Sequence, residues 1–436
     1  MSELKMLDSK AAFIDVGSEK MYVSIGGGPA RTFGTLTIDL MALRDWLLLE
    51  RVLSVAMEAT GVYWMPIYSL LEAAKLEVRM VDGRQVKNLP GRKTDVQDCQ
   101  WGATLHAHGL LRAGFVPDAT VRRIQDYMRL RSDHITMAAS HVQKMHQAME
   151  RMNIKLHDEI ASMTGVSGLA IVRAILAGER NPEKFLALCH SSIQRAKADR
   201  IKESLRGTWQ DEHVFALRHA YACWTHYQEM IAECDYALTE LLPKPEDDPP
   251  SSKGAARKSN AGVNSPDIPG LNRILVQLCG CDPTVLPGHT EYSVLQLISE
   301  VGTDLSAWPS ENHFASWTGL AKGSAQSGKR NRPGKRKRNR VGRLFSVMAR
   351  SLARSKHIAL GAYYRRMKSR RGPQIANMAL AHKLACLFWR VMVKGLDYVE
   401  QGIAAYNERY LATQQKTLQR MAKQLNCQVV PMQINQ

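Results

Sequence analysis

The chain has 436 residues, 45% of them hydrophobic, eight cysteines and a formal net charge of +18. That length points to two or three domains rather than one core. No apolar run of membrane-spanning length and no apolar leader is legible, and the cysteines are scattered, so a cytoplasmic protein with reduced thiols is expected. The charge is unevenly placed. Residues 1–243 hold 29 Lys/Arg and 29 Asp/Glu, whereas residues 244–436 hold 30 and 12. A basic half joined to a neutral half implies that one part grips a polyanion while another does something else.

In chain order, "AAFIDV" (11–16) reads as a buried strand with Asp15 at its end. "MYVSI" and "RTFGTLTI" follow as two short strands, and 38–50 as a helix. "RVLSVAME" (51–58) is a strand ending on Glu58, "ATGVYWMPIYSLLEAAK" a helix, and "LEVRMVD" (76–82) another strand. In "PGRKTDVQDCQWGATLHAHG" Thr94 is placed to cap a helix reaching about His108, with Asp95 and Asp98 on one face, their Cβ atoms roughly 5–6 Å apart. The order βββαβαβα predicts a mixed sheet opened by a meander and finished by parallel crossovers, over residues 10–117.

Residues 118–243 turn helical, with long amphipathic stretches that fit a coiled coil or an antiparallel helical pair. His134, His141 and His146 stand in the first stretch without a partner at metal-ligand spacing, so packing or surface roles are expected. Cys279 and Cys281 form a C-x-C with no second pair. Residues 244–267, rich in Pro, Ser and Gly, read as a linker. A mainly α domain follows over 268–424. It opens on "IPGLNRILVQLCG", whose helix start fits either a phosphate or no ligand at all. It also contains "GSAQSGKRNRPGKRKRNR", where Ser327 falls in a Gly-flanked turn and eight of the twelve residues 329–340 are Lys or Arg.

In an open sheet of this kind strand ends converge on one edge, where the following helix begins. Asp15, Glu58, Asp95 and Asp98 would then face one small volume. Four neighbouring carboxylates repel one another unless cations neutralise them. Two Mg²⁺ ions about 4 Å apart would do so, and would also clamp a phosphodiester between attacking and leaving oxygens. An aspartate at a strand end is by itself more often a turn or cap residue; the weight lies in all four occurring in this order.

"FIDVGSEK", "MEATGVYW", "VKNLPGRKTDVQD" and "LHAHGLLRAGFVP" closely resemble the RNase H-like (RuvC-like) N-terminal domain of the DEDD transposases. These are also called bridge-RNA-guided serine recombinases, and they belong to a large bacterial insertion-sequence family. The resemblance resumes at "IPGL", "EVGTDLSAWPSENHFASWTGLA", "AQSGK" and "AYYRRMKSRRG". It implies a RuvC-like N-terminal domain, a C-terminal transposase domain, and Mg²⁺ held by Asp15, Glu58, Asp95 and Asp98. It also implies that the serine of the Q-S-G turn, Ser327 here, attacks the scissile phosphate and is transiently joined to DNA. Two departures stand out. The usual Pro and Tyr before the turn are replaced in the region of Gly323, Ser324 and Ala325, and a segment that includes Cys279 to Tyr292 is added. Ser324 is therefore a rival nucleophile, and a serine in a basic loop is on its own more often a hydrogen-bond donor to phosphate.

The basic run Lys329, Arg330, Arg332, Lys335, Arg336, Lys337, Arg338 and Arg340 suits phosphate contact, which gives affinity without sequence choice. The resemblance supplies sequence choice through a structured non-coding guide RNA, which Arg84, Lys87, Arg92 and Lys93 would contact. It also implies donor and target DNA as partners, action at the nucleoid, and a homodimer or homotetramer in which one protomer's serine meets another's carboxylates. The competing readings are a metal-dependent nuclease that resolves branched DNA by hydrolysis and a non-enzymatic nucleic-acid-binding protein.

Overall fold

The computed structural model describes the chain apart from residues 1–4, 59–60, 87–93, 246–261, 263, 322, 328–329, 335–336, 355–357 and 430–436. The chain divides into two compact units, Met1–Val116 and Pro117–Gln436.

The first unit is built on a five-stranded mixed sheet of order β3-β2-β1-β4-β5. Its strands are β1 (Ala12–Val16), β2 (Met21–Ile25), β3 (Arg31–Phe33), β4 (Ser54–Glu58) and β5 (Glu77–Val81), with helices α1 (Thr37–Leu49), α2 (Trp64–Ala73) and α3 (Asp95–Ala107). β1 pairs antiparallel with β2 and parallel with β4. Alternation divides each central strand between two faces. Ala12, Ile14 and Val16 of β1, with Val55 and Met57 of β4, join the core that Leu40, Leu43 and Leu47 of α1 and Ile67 and Leu71 of α2 complete. Phe13 and Ala56 face the other way, onto Cys99 and Ala103 of α3.

Two expected strands are shorter than the sequence implies. β3 stops at Phe33 because the next turn is a helix cap: the Asp39 carboxylate accepts from Leu36 N at 3.2 Å and occupies the space over Gly34. β4 starts only at Ser54 because Arg51 takes φ 58°, in the turn that ends α1.

The second unit begins with α4 (Ala119–Arg151) and α9 (Asp211–Leu241), which run antiparallel: Arg131 meets Asp235, and His141 stacks on Tyr227. Between them in sequence, α5 (Leu156–Glu159), α6 (Val166–Leu176), α7 (Pro182–Ala187) and α8 (Ser191–Ser204) pack on one end of the pair. Met149, Ile171, Phe185, Ile201 and Leu217 share that core. Then come α10 (Leu271–Cys279), α11 (Glu291–Val301), α12 (Glu311–Trp317), a hairpin of β6 (Gly323–Ser327) and β7 (Arg330–Gly334), and α13 (Arg340–Leu352). The chain closes with α14 (Ile358–Arg371), α15 (Pro373–Lys394) and α16 (Leu396–Gln424). His134 and His141 lie within 5.9 Å and 5.7 Å of the Tyr227 ring, so both are packing residues of the helical pair.

Two buried charges tie this unit together. Arg131 forks onto Asp235 (2.6 and 3.3 Å) and donates to Asn264 O, and Asp235 also accepts from Asp267 N. The chain arriving at α10 is thus pinned to the helical pair. Glu300 of α11 receives Arg129 (3.0 and 2.7 Å), Gln125 (3.1 Å) and Arg340 (3.3 Å).

Removing one partner of a buried ion pair strands the other. Asp235→Ala should therefore lower stability by about 3–5 kcal/mol in urea unfolding, and the same change at exposed Glu229 should do almost nothing. Cys223 and Cys427 are exposed, while burial pushes Cys279 up to about 12 and Cys281 up to about 11. A thiol reagent near neutral pH should label those two exposed cysteines in the native protein and all eight after denaturation.

Candidate active site

The alternation that buries Ile14 and Met57 against α1 and α2 turns Asp15 and Glu58 to the α3 face. Both stand one residue beyond the last register pair of β1 and β4, Ile14 with Met57, so their backbones are neighbours at about 5 Å. α3 brings the other two. Four of the five residues on its buried face are small, Cys99, Gly102, Ala103 and Ala107, which allows close approach; the fifth, His106, meets Ser54 Oγ at 2.9 Å at the far end of the helix. A Cβ at Gly102 would lie 2.6 Å from the Phe13 ring, and the Cys99 thiol reaches Phe13 O at 3.4 Å and Tyr22 O at 3.1 Å. Thr94 caps the helix, accepting from Gln97 N at 3.3 Å, and Asp95 and Asp98 occupy the first turn, where the helix dipole favours negative charge.

Asp15, Glu58, Asp95 and Asp98 all line one cavity of about 540 Å³, together with Ser18, Glu19, Lys20, Tyr22 and Val86. Asp95 is exposed and the other three are half-buried, so the cavity is open to a large ligand. Glu58 rests over the backbone of Gly83, where a Cβ would overlap its carboxylate. Among the described residues no three His, Cys, Asp or Glu side chains already close on a single point. The carboxylates frame the space rather than forming a finished cage. As a donor set they fit a divalent cation: all are hard oxygen ligands, and the cavity leaves room for water or phosphate oxygen in the remaining positions.

Glu19, Lys20 and Tyr22 are absent from the sequence-derived set. Tyr22 was legible in principle, since it is the cross-strand partner of Asp15 and shares its face. Glu19 and Lys20 sit in the β1–β2 turn, which Gly17 N closes onto Lys20 O at 3.1 Å, and nothing in the local pattern says which way such a turn leans.

In the second unit Ser327 is the last residue of β6, paired with Arg330, the first of β7. Ser327 and Arg330 are thus the innermost pair of the hairpin, on either side of residues 328–329, which lie outside the described residues. Ser324 pairs with Pro333 further down the same hairpin. The segment entering α13 is clamped to the end of α12: Asn339 donates to Trp317 O (3.2 Å) and Thr318 O (3.4 Å), and Gly319, at φ 77°, would carry a Cβ only 2.7 Å from Lys337 O.

The basic run is divided. Arg330 and Arg332 belong to β7, and Lys337 is exposed. Arg338 donates to Ser346 Oγ at 2.9 Å, and Arg340 is tied to Glu300. Arg84 lies in a 3-10 turn over Gly83–Gln85. Lys87, Arg92, Lys93, Lys329, Lys335 and Arg336 lie outside the described residues.

A mixed sheet of order β3-β2-β1-β4-β5 with carboxylates gathered on its α3 face defines an RNase H-like nucleic-acid enzyme domain, followed here by a mostly helical part. A DEDD transposase model of the IS110 type matches residues 14–154, and a model of the IS116/IS110/IS902 transposase family matches residues 284–365. The chain belongs to the IS110 family of transposases. Comparison with curated proteins gives no match. Membership makes the chain a DNA transposase or recombinase, with DNA as substrate, and implies use of a divalent metal. Among the described residues no helix is long and apolar enough to cross a membrane.

Gly83→Ala tests the seat of Glu58 without touching a carboxylate. The added methyl meets only the end of a flexible side chain, so the melting temperature should stay near wild type. Strand cleavage should fall on the order of a hundredfold as Glu58 moves out of the cavity. Unchanged cleavage would show that the position of Glu58 does not matter.

Proposed function

We propose that the chain is an RNA-guided DNA recombinase that cuts and rejoins strands through a serine–phosphodiester intermediate. Asp15, Glu58, Asp95 and Asp98 would hold Mg²⁺. The observation that carries the reading is the convergence of these four carboxylates, drawn from two strands and one helix, on one open cavity. A divalent cation bound there supplies Lewis acidity toward phosphate oxygens and eases loss of a proton from a nearby hydroxyl.

The chain's own groups do the rest. The Ser327 Oγ–P bond forms as the P–O3′ bond breaks, the serine proton leaves to solvent, and the departing 3′ oxygen takes up a proton. Rejoining reverses these steps with the 3′-hydroxyl of another strand. The ester to serine retains the bond energy, so no ATP is needed. Ser327 and the carboxylates belong to different units of the chain, which fits the implied assembly of a dimer or tetramer in which serine and carboxylates come from different protomers.

Sequence choice is assigned to a structured guide RNA that pairs with donor and target DNA. The charge excess of residues 244–436 supports a polyanion grip of this kind, because phosphate contacts bring affinity without base readout.

Ser327→Ala should abolish recombination and leave fold and nucleic-acid affinity intact, while Ser324→Ala should still recombine. Asp95→Ala or Asp98→Ala should stop cleavage and spare binding. The reading is wrong if Ser327→Ala recombines at near wild-type rate. Recombination in a purified system without RNA would remove the guide-RNA part and leave the chemistry standing.

A further inference from the structure

Residues 312–396 contain 21 Lys/Arg and no Asp or Glu. A chain of average composition would hold about ten acidic residues over that length. Nine of the 21 fall between residues 322 and 340, in and beside the hairpin, and five in α14; α13 and the bend after it add Arg343, Arg350 and Arg354, which the hairpin does not explain. Its inner face, Val341, Phe345, Met348, Ala349 and Leu352, is fully packed. Phe345 sits edge-on to Phe388 at 5.9 Å and to Phe314 at 6.3 Å, so the helix is rigidly mounted. Its outer face holds Arg343 and Arg350, two turns or roughly 10 Å apart, and Arg354 follows one turn further in the bend that ends the helix. All three are exposed.

Four arginines of this unit are spent on carboxylates: Arg129 and Arg340 on Glu300, Arg131 on Asp235, Arg390 on Glu311. Arg343, Arg350 and Arg354 have no carboxylate within ion-pair reach among the described residues. The first turn of α13 also has no acidic residue, and its cations oppose the helix dipole there. Helix stability therefore does not account for Arg343, although Arg350 in the last turn complements the dipole; an external anion accounts for the row as a whole.

We propose that Arg343, Arg350 and Arg354 form a phosphate-tracking stripe for duplex DNA. The occupant follows from chain continuity. α13 follows β7 after five residues, so the stripe starts close in the chain to the hairpin that bears Ser327, and DNA engaged at that hairpin is brought near this helix. The direction of this path rests on the reading of Ser327 given above; the charge argument does not. A rigid row of guanidinium groups spaced one to two helical turns apart matches a backbone whose charges recur every 3.4 Å of axis per strand, and reads no bases.

The test is duplex binding by the full chain in the presence of a chelator, so that nothing is cut and a failure of the serine reading cannot alter the result. A fluorescent random-sequence duplex is titrated across a salt series. Arg343→Gln, Arg350→Gln and Arg354→Gln should each flatten the slope of log K against log salt by up to about 0.9, and the triple variant by about 2.7, with affinity falling roughly a hundredfold near physiological salt. The control replaces Lys416, Arg420 and Lys423 of α16, exposed residues that carry the same charge, and should leave the slope close to wild type. The single variants stand even if the triple variant folds poorly. An unchanged slope in all three single variants overturns the proposal. So does an equal loss in the control, which would mark a general charge effect. A loss seen only with a single-stranded RNA probe assigns the face to RNA and overturns it as well.

Discussion

The contact between α3 and β1 decides where the carboxylates stand. A helix presenting bulky residues would ride higher on the sheet and carry Asp95 and Asp98 away from Asp15. Here, apart from His106 near its far end, the face is Cys99, Gly102, Ala103 and Ala107, and the Phe13 ring lies directly under Gly102. The Cys99 thiol, which burial pushes up to about 12, stays a neutral donor to the carbonyls of Phe13 and Tyr22. Small side chains and one sulfur hydrogen bond thus set the geometry of a site made of charged oxygens. The first turn of α3 gives partial compensation through the helix dipole, and Lys20 brings one cation to the rim, but five carboxylates including Glu19 share the cavity. That excess of negative charge is why a divalent cation belongs in the account.

The second unit handles charge by the opposite means. Its buried carboxylates among the described residues are each matched: Asp235 by Arg131 and a backbone N–H, Glu300 by two arginines and a glutamine, Glu159 by Lys197 and Arg200. Glu300 ties α4, α11 and the start of α13 together, and α13 begins where the serine hairpin ends. The start of α13 is therefore fixed to the long helical pair through one buried carboxylate. The arginines left without carboxylates face outward on the same helix.

Much of this could be read from the sequence, for identifiable reasons. "AAFIDV" and "RVLSVAME" read as strands buried on both faces, with Asp15 and Glu58 breaking the apolar runs near their ends, and Thr94 with Asp95 and Asp98 marks a helix start; the order of strands and helices follows. The hairpin was harder, since Gly-Ser-Ala-Gln-Ser followed by a basic run has the composition of a loop, and only pairing across the turn makes it two strands. Arg340 illustrates a different limit: within the run it is indistinguishable from its neighbours, and its tie to Glu300 comes from a residue forty positions away. Glu19 and Lys20 were missed because the lean of a tight turn is set by tertiary packing. The arginine stripe on α13 needed the burial pattern to tell its outer face from its inner one.

The central claim is that strand exchange proceeds through two successive displacements at one phosphorus, first by Ser327 and then by a 3′-hydroxyl. Each in-line displacement inverts configuration, so the stereochemical course counts the steps. A donor DNA carrying a single phosphorothioate of known chirality at the scissile position should yield recombined strands with that configuration retained. Inversion in the product would mean one direct displacement without a covalent protein–DNA intermediate, and would contradict the account.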